Sequence, residues 1–586
     1  MAAQPNTQQS RVGRALVWLS FSALTCALGW KLGATLLQVV RRLRFPYDLM
    51  YWPDDYYLSM VLRLELGLGA YGPPSDANSW IYSPGGPALG WALLSPLGLE
   101  RSYLAHKWLA QLWFWLAVLA GCWVGRQVLL GERAARGDAR RVSPFELGVL
   151  AAVLALAALM SPIADSLHPT NLELTCLCLA SVACAALPRL TPAKRLIVCF
   201  TLPAVSLWFK QTGAVAVTAS LMTSCLFAPS LHRGERLRLI LATGLGAGCL
   251  LGALRLLHGP HFIAWVWEIP SAAGFQGFKT RDLSSGLGIL VYPMLLLVLL
   301  RLFWRPKPPA AKPLPPDKAR SGDEREAEHD RPRPPSRTIS NAGALAGAEQ
   351  ANAPALYFPP GNYIRLCLPT LCYTPLALVA LFKTLGGPNN LTALLFLYTA
   401  LGAPLLIDGL SRGEAWRRAA HAAALTLCTF ALWSPKKRLP TAADYRYGAQ
   451  LCELVAARQA CGERVYLGRG MVCFMEGSEL PKDRVMAAED VSQSRHALGY
   501  GERLRAEHYD VVIGVSHDLL SPWLKEAQWP VLKERYVPFG RLDAGPSGDV
   551  WTEGFSNHMG PTVLFERLSQ KGSHDPAQPH RCHAQP

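Results

Sequence analysis

Residues 103–130, YLAHKWLAQLWFWLAVLAGCWVGRQVLL, carry Lys107 and Arg126 as their only formal charges and are otherwise dominated by Leu, Ala, Val and Trp. An apolar run of 18 or more residues is long enough to cross a hydrocarbon core of ~30 Å, and the buried helix of a soluble protein is usually shorter. Comparable runs lie at roughly 14–38, 146–163, 171–187, 195–209, 212–229, 237–257, 286–303, 363–382, 390–409 and 418–434. Hydrophobic residues make up 51% of the 586 positions and charged residues 17%, against about a quarter charged in an ordinary soluble domain. The chain therefore reads as an α-helical polytopic membrane protein with about eleven transmembrane helices.

The net charge of +16 is spread over short connectors, with no basic stripe interleaved with aromatics, so nucleic acid is not an expected partner. With the N-terminus inside, the inner connectors hold Arg11 and Arg14, then Arg126, Arg133, Arg136, Arg140 and Arg141. Further along they hold Arg189, Lys194 and Arg195, then Arg233, Arg236 and Arg238, then Arg412, Arg417 and Arg418. The outer connectors are poorer, and this bias sets the orientation. Arg41, Arg42 and Arg44 on the outer side are the exception. The first apolar run continues past any plausible cleavage point, which favours a retained signal anchor. Most of the 15 cysteines lie in or beside apolar helices, where they act as small hydrophobes, and no spacing suggests a metal site. Cys452 and Cys461 are candidates for a disulfide in the C-terminal region.

The connector 304–355 is rich in Pro, Ala, Arg, Glu and Asp without apolar periodicity, and reads as a disordered inner linker. It separates a membrane block over 1–303 from a second block of three helices over 356–435. Beyond 436 the pattern alternates. A helical stretch at 442–460 precedes a short strand at 463–467 and the buried-strand pattern Tyr509-Asp-Val-Val-Ile-Gly-Val515. We read 436–570 as a small α/β domain, outside the cytoplasm because the helix count is odd, with a disordered tail at 571–586.

The connector 41–102 is far longer than most membrane loops. It holds Asp48, then Asp54-Asp55-Tyr-Tyr57, a helical pattern over 58–69, Tyr71, and Trp80-Ile-Tyr82-Ser-Pro84. Leu58, Val61, Leu62, Leu64 and Leu66 oppose Arg63 and Glu65, a pattern suited to a helix lying in the membrane interface, with the carboxylates just before it facing water. Other polar residues fall at the same level: His168 and Asn171 between the third and fourth runs, Lys210 and Gln211 between the fifth and sixth, Glu268 after the seventh, and Asn389 between the ninth and tenth. Singly, each is ordinary loop polarity; together on one side they suggest a cavity opening outward. A transporter would place ionisable groups near mid-membrane, where few are found.

These features resemble the GT-C superfamily, the polytopic glycosyltransferases that use lipid-linked sugars, which includes protein O-mannosyltransferases, lipid A aminoarabinose transferases and many bacterial members. The resemblance rests on the acidic pair Asp54-Asp55 after the first run, on Gly67 to Tyr71 as Gly-x-x-x-Tyr, and on Tyr82-Ser-Pro84. It rests also on Lys-Gln-Thr at 210–212 and Gly-Gly-x-Asn at 386–389. Asp55 stands where the family often has Glu, and 168–171 is His-Pro-Thr-Asn where some relatives have Gly-Gln. What the resemblance implies is a bacterial inner-membrane enzyme that moves a sugar from a polyprenyl-phosphate donor to a glycan, lipid or protein acceptor at the outer face. Asp55 would be the base, with Asp54 and Asp48 as competitors; adjacent carboxylates raise each other's pKa. Tyr57, Tyr71, Tyr82, His168, Asn171, Lys210, Gln211, Glu268 and Asn389 would bind substrate, Lys210 facing the leaving phosphate. No cofactor is implied beyond a divalent metal ion as an option for that phosphate. The rival readings are a secondary transporter and a non-catalytic, polymerase-type or ligase-type protein of envelope glycans.

Overall fold

The computed structural model describes residues 7–50, 52–159, 166–272, 280–303, 363–382, 391–432, 439–467, 470–477, 496, 500–506, 508–515, 530–542, 550–551, 558–559 and 562–567. The linker 304–355, the tail 571–586 and Asn389 lie outside the described residues.

Each apolar run overlaps a helix. These are α1 (Thr7–Leu43), α4 (Tyr103–Ala135), α5 (Pro144–Leu159), α6 (Thr170–Ala186), α7 (Pro192–Phe209), α8 (Gln211–Leu226), α9 (Arg233–His258), α11 (Thr280–Phe303), α12 (Tyr363–Phe382), α13 (Thr392–Asp408) and α14 (Ala415–Ala431). Among the described residues seven helical spans are long and apolar enough to cross a membrane, and the chain is an integral membrane protein. Burial sorts the helices. Nearly every side chain of α13 and most of α6 are enclosed, whereas α1 and α9 turn Trp18, Trp30, Leu241 and Leu256 outward, as lipid-facing helices do. Small residues set the closest approaches: a Cβ on Gly121 of α4 would lie 2.7 Å from the Phe396 ring of α13, so only glycine lets these backbones come so near.

At the end of α4 remote from Tyr103, Arg133 is 2% exposed and joins three elements. Its Nε donates to Asp408 at 2.8 Å, one terminal nitrogen to Glu146 at 2.5 Å, and the other to the carbonyl of Arg141 at 2.8 Å. Arg136 and Arg412 complete the surround of Asp408. Buried charges persist only when so compensated, and here they fasten α4, α5 and α13 at one level.

The connector after α1 folds as α2 (Trp52–Glu65), a single turn at Pro74–Asp76, and α3 (Gly85–Leu94), and the one-turn α10 (Ile269–Ala272) lies between α9 and α11. Here the structure corrects the expectation of an interfacial helix preceded by solvated carboxylates. The helix begins six residues earlier than its apolar pattern, with Pro53 in its first turn where a missing N–H is harmless. It is buried on all sides over 53–63. Leu58, Val61 and Leu62 are inaccessible, and Arg63 turns inward to the carbonyls of Leu68 and Gly69 and the side chain of Asn78.

The C-terminal part packs on this segment. Helix α15 (Ala442–Ala460) starts with a reciprocal Thr441–Asp444 capping box. A mixed sheet follows in the order β1-β2-β6-β3: β1 (Val465–Leu467) runs parallel to β2 (Val511–Val515), and β6 (Thr562–Arg567) lies antiparallel between β2 and β3 (Tyr536–Leu542). Between β2 and β3 in sequence no further strand is described; β4 (Val550–Trp551) and β5 (His558–Met559) form a separate ribbon. One apolar cluster runs from Phe45, Tyr57 and Trp80 through Phe262 and Trp265 to Tyr447, Met471 and Ile513, so the segment holding α2 and α3 and the sheet share a core. Among the described residues Cys452 is bonded to Cys473, not to Cys461. Helix α15 presents Cys452 to the turn after β1, which the sequence spacing alone does not reveal.

Candidate active site

Asp54 sits in the first turn of α2 with no exposed surface. Its two oxygens are held from different directions: the Tyr103 hydroxyl at the start of α4 donates to Oδ2 at 2.5 Å, and the Leu167 amide, in the turn before α6, donates to Oδ1 at 2.8 Å. Burial, the dominant influence, pushes its pKa up to about 7 against the lowering effect of those hydrogen bonds and of Lys107. Lys107 is itself enclosed and donates to the carbonyls of Arg42 and Phe45, closing the end of α1. Asp55 follows at 2% exposure.

Beside Leu167 lies a small cavity lined by Tyr57, His106, Leu167, His168 and Asn171 among others. The Tyr57 hydroxyl donates to the Gly86 carbonyl at 3.2 Å and lies 3.3 Å from His106 Nδ1. Burial and then the charge of Asp54 raise its pKa, so it stays protonated. His168 is fixed on both ring nitrogens. The Thr170 amide donates to Nδ1, so in the neutral ring Nε2 carries the proton and points it at the Tyr82 hydroxyl, 3.0 Å away. Burial, then the charge of Lys210, holds His168 well below the ordinary histidine range. Its ring also meets that of Tyr82 edge-on at 4.9 Å, and the Tyr71 hydroxyl donates to the Tyr82 carbonyl.

One layer behind is a carboxylate that the sequence reading left without a role. Glu173 on α6 is 1% exposed. It accepts from Lys210 Nζ at 2.6 Å, from the Thr212 hydroxyl at 2.5 Å and from the Tyr373 hydroxyl at 3.2 Å. Lys210 lies at the break between α7 and α8, its Nζ 5.6 Å from the Tyr82 ring centre. It is thus a paired, buried cation and does not line the cavity. The signal for Glu173 was its place in the first turn of α6 as the one charged residue of that helix, a position where an unpaired charge is too costly to persist once buried.

Asp54, Tyr57, Tyr82, His168, Asn171 and Lys210 are thus gathered at one end of the bundle, with Tyr71 joined through Tyr82. Gln211 serves the frame, donating to the carbonyls of Ile81 and Val266. Two nominated residues are engaged by the C-terminal part. Asp48 accepts from the amides of Met471 and Val472, and Glu268 accepts from His496 at 3.0 Å.

No family model matches the chain, and no curated protein matches it. Among solved structures, the crystal structure of ArnT from Cupriavidus metallidurans bound to undecaprenyl phosphate aligns at 13% identity with a TM-score of 0.40, covering 92% of this chain and 98% of that one. The Archaeoglobus fulgidus oligosaccharyltransferase in the apo form aligns at 10% identity with a TM-score of 0.34, covering 87% of this chain and 73% of that one. Likeness this distant assigns no residue a role.

Among the described residues no three His, Cys, Asp or Glu side chains converge as a metal site. The cavity lining offers hydroxyl, imidazole and amide groups, and Asp54, of near-neutral pKa, lies behind it, tied to the lining residue Leu167. A carboxylate of that pKa suits proton abstraction from a hydroxyl that reaches it.

Proposed function

We propose that this chain is a membrane glycosyltransferase that moves a sugar from a polyprenyl-phosphate donor to a hydroxyl acceptor at the outer membrane face. In this reading it has eleven spans, an inner N-terminus and an extracytoplasmic α/β domain over 436–570. An outer-segment aspartate takes the acceptor proton as the acceptor oxygen bonds the anomeric carbon, and the bond from that carbon to the phosphate oxygen breaks to release polyprenyl phosphate. The observation that carries the reading is Asp54: fully enclosed, held by Tyr103 and by Leu167, which itself lines the cavity, with its pKa pushed up to about 7. A base works best when its pKa lies near the working pH. The raised pKa and the tie to the cavity lining through Leu167 support Asp54 for that role, with Asp55 as its competitor. Tyr57, His168 and Asn171 line the cavity and are the substrate-binding candidates, while Lys210 acts on it indirectly, its charge adding to the burial that keeps His168 neutral. The motif resemblance supplies the class of donor.

The test is transfer by the purified protein in lipid nanodiscs from a panel of undecaprenyl-phosphate sugars, paired with a glycolipid and glycan comparison of cells with and without the gene. A donor-dependent product that is lost with the gene supports the reading. An unaltered glycan and glycolipid profile, with no product from any donor, overturns it.

A further inference from the structure

Asp48 lies four residues before α2, is 2% exposed, and spends its carboxylate on a distant turn. Oδ2 accepts from the Met471 amide at 2.6 Å and Oδ1 from the Val472 amide at 3.3 Å. Two successive amides turn to one carboxylate because Gly470, at φ +104°, takes a left-handed conformation that a side chain would resist. The far side of the same turn reaches the other end of α2. Arg101 donates to the carbonyls of Met475 and Gly477 and, at 2.7 Å, to Glu65, the last residue of the helix. Residues 471–477 therefore span α2 from one end to the other. The turn in turn is bonded to α15 through Cys473–Cys452, and α15 lies so close that a Cβ on Gly448 would overlap the Tyr47 ring.

We infer that the C-terminal part is a clamp on the carboxylate helix: Asp48 and Arg101 are positioning residues, and the Cys452–Cys473 bond holds the turn they grip, so that the placement of Asp54 is set from more than 400 residues away. Asp48 is accordingly a structural grip and not a base. The clamp is independent of what the site transfers.

Hydrogen–deuterium exchange of the full-length protein in nanodiscs tests it, read on peptides covering 52–58. The variants are C452S/C473S, D48N and R101Q. In each, amides of the first turns of α2 are expected to exchange about tenfold faster, the factor that loss of one buried hydrogen bond allows. Peptides in α5 and α13 are expected to stay unchanged. If the double serine variant fails to fold, D48N and R101Q carry the same readout with the disulfide intact. Faster exchange confined to 470–477, with 52–58 at the parent rate, would overturn the clamp. Loosening of 52–58 with no sugar transfer by the parent would leave the clamp standing and remove the glycosyltransferase reading.

Discussion

Replacing Asp54 by Asn alters the charge and little else. The Asn carbonyl accepts from Leu167 as Oδ1 does, and its amide donates to the Tyr103 oxygen, so both fastenings keep a partner. A loss of rate then reports chemistry and not collapse. Removal of a general base costs ~10²–10⁴ in rate, and that is the expected fall in single-turnover sugar transfer. The parent should also show an acid limb. With a pKa of about 7, the ionised fraction falls nearly tenfold per pH unit below that value, so transfer at pH 5 should be roughly a hundredfold below its plateau. The stability effect has the opposite sign. The folded-state pKa stands above the ordinary 3.8, so the folded protein holds a proton that the unfolded chain releases. That contribution is fully present below the unfolded value and is lost as pH rises through about 7. Asp54→Asn should therefore melt higher than the parent at pH 8, with the gap closing toward pH 4. Asp55→Asn is the comparison, and a loss there equal to or above that of Asp54→Asn would move the base by one residue. Transfer by Asp54→Asn within a few-fold of the parent, or a parent rate flat from pH 5 to 8, refutes the assignment.

Glu173→Gln leaves Lys210 as an unpaired buried cation and should destabilise by ~3–5 kcal/mol, with most of that regained in Glu173→Gln/Lys210→Met; equal melting temperatures for parent and single variant would contradict this. A phosphatase reporter fused after residue 440 should be active only outside the cytoplasm, and one placed at 330 should be silent; the reverse pattern overturns the orientation. Removing 304–355 should leave transfer within roughly twofold of the parent, since closure entropy varies slowly with length; an inactive protein at normal membrane level would show a specific role for that segment.

The helical frame was legible because the bilayer imposes one rule on every span: length and apolarity. The run 103–130 announces α4 on that rule alone. The site was legible only in its membership. Asp54, His168, Asn171 and Lys210 were picked out by lying at one membrane level, but their environments are made by residues far off in sequence. Asp54 was read as solvated because nothing near it in the chain covers it; the groups that hold it, Tyr103 and Leu167, are far along the chain. Glu173 gets no role from the local sequence because two of its three partners, Lys210 and Thr212, are on the next helix pair and the third, Tyr373, is 200 residues away. Cys473 is in plain view in the sequence, yet choosing it over Cys461 needs the crossing of α15 by the turn after β1. In each case local pattern names a residue with unusual polarity for its place, and long-range packing decides whether that polarity is spent on structure or left for chemistry. Asp48 and Asp54 make the contrast sharpest. Six residues apart and alike in sequence, one accepts from the amides of a distant turn, while the other is carried on a buried helix to Leu167, a residue that lines the cavity.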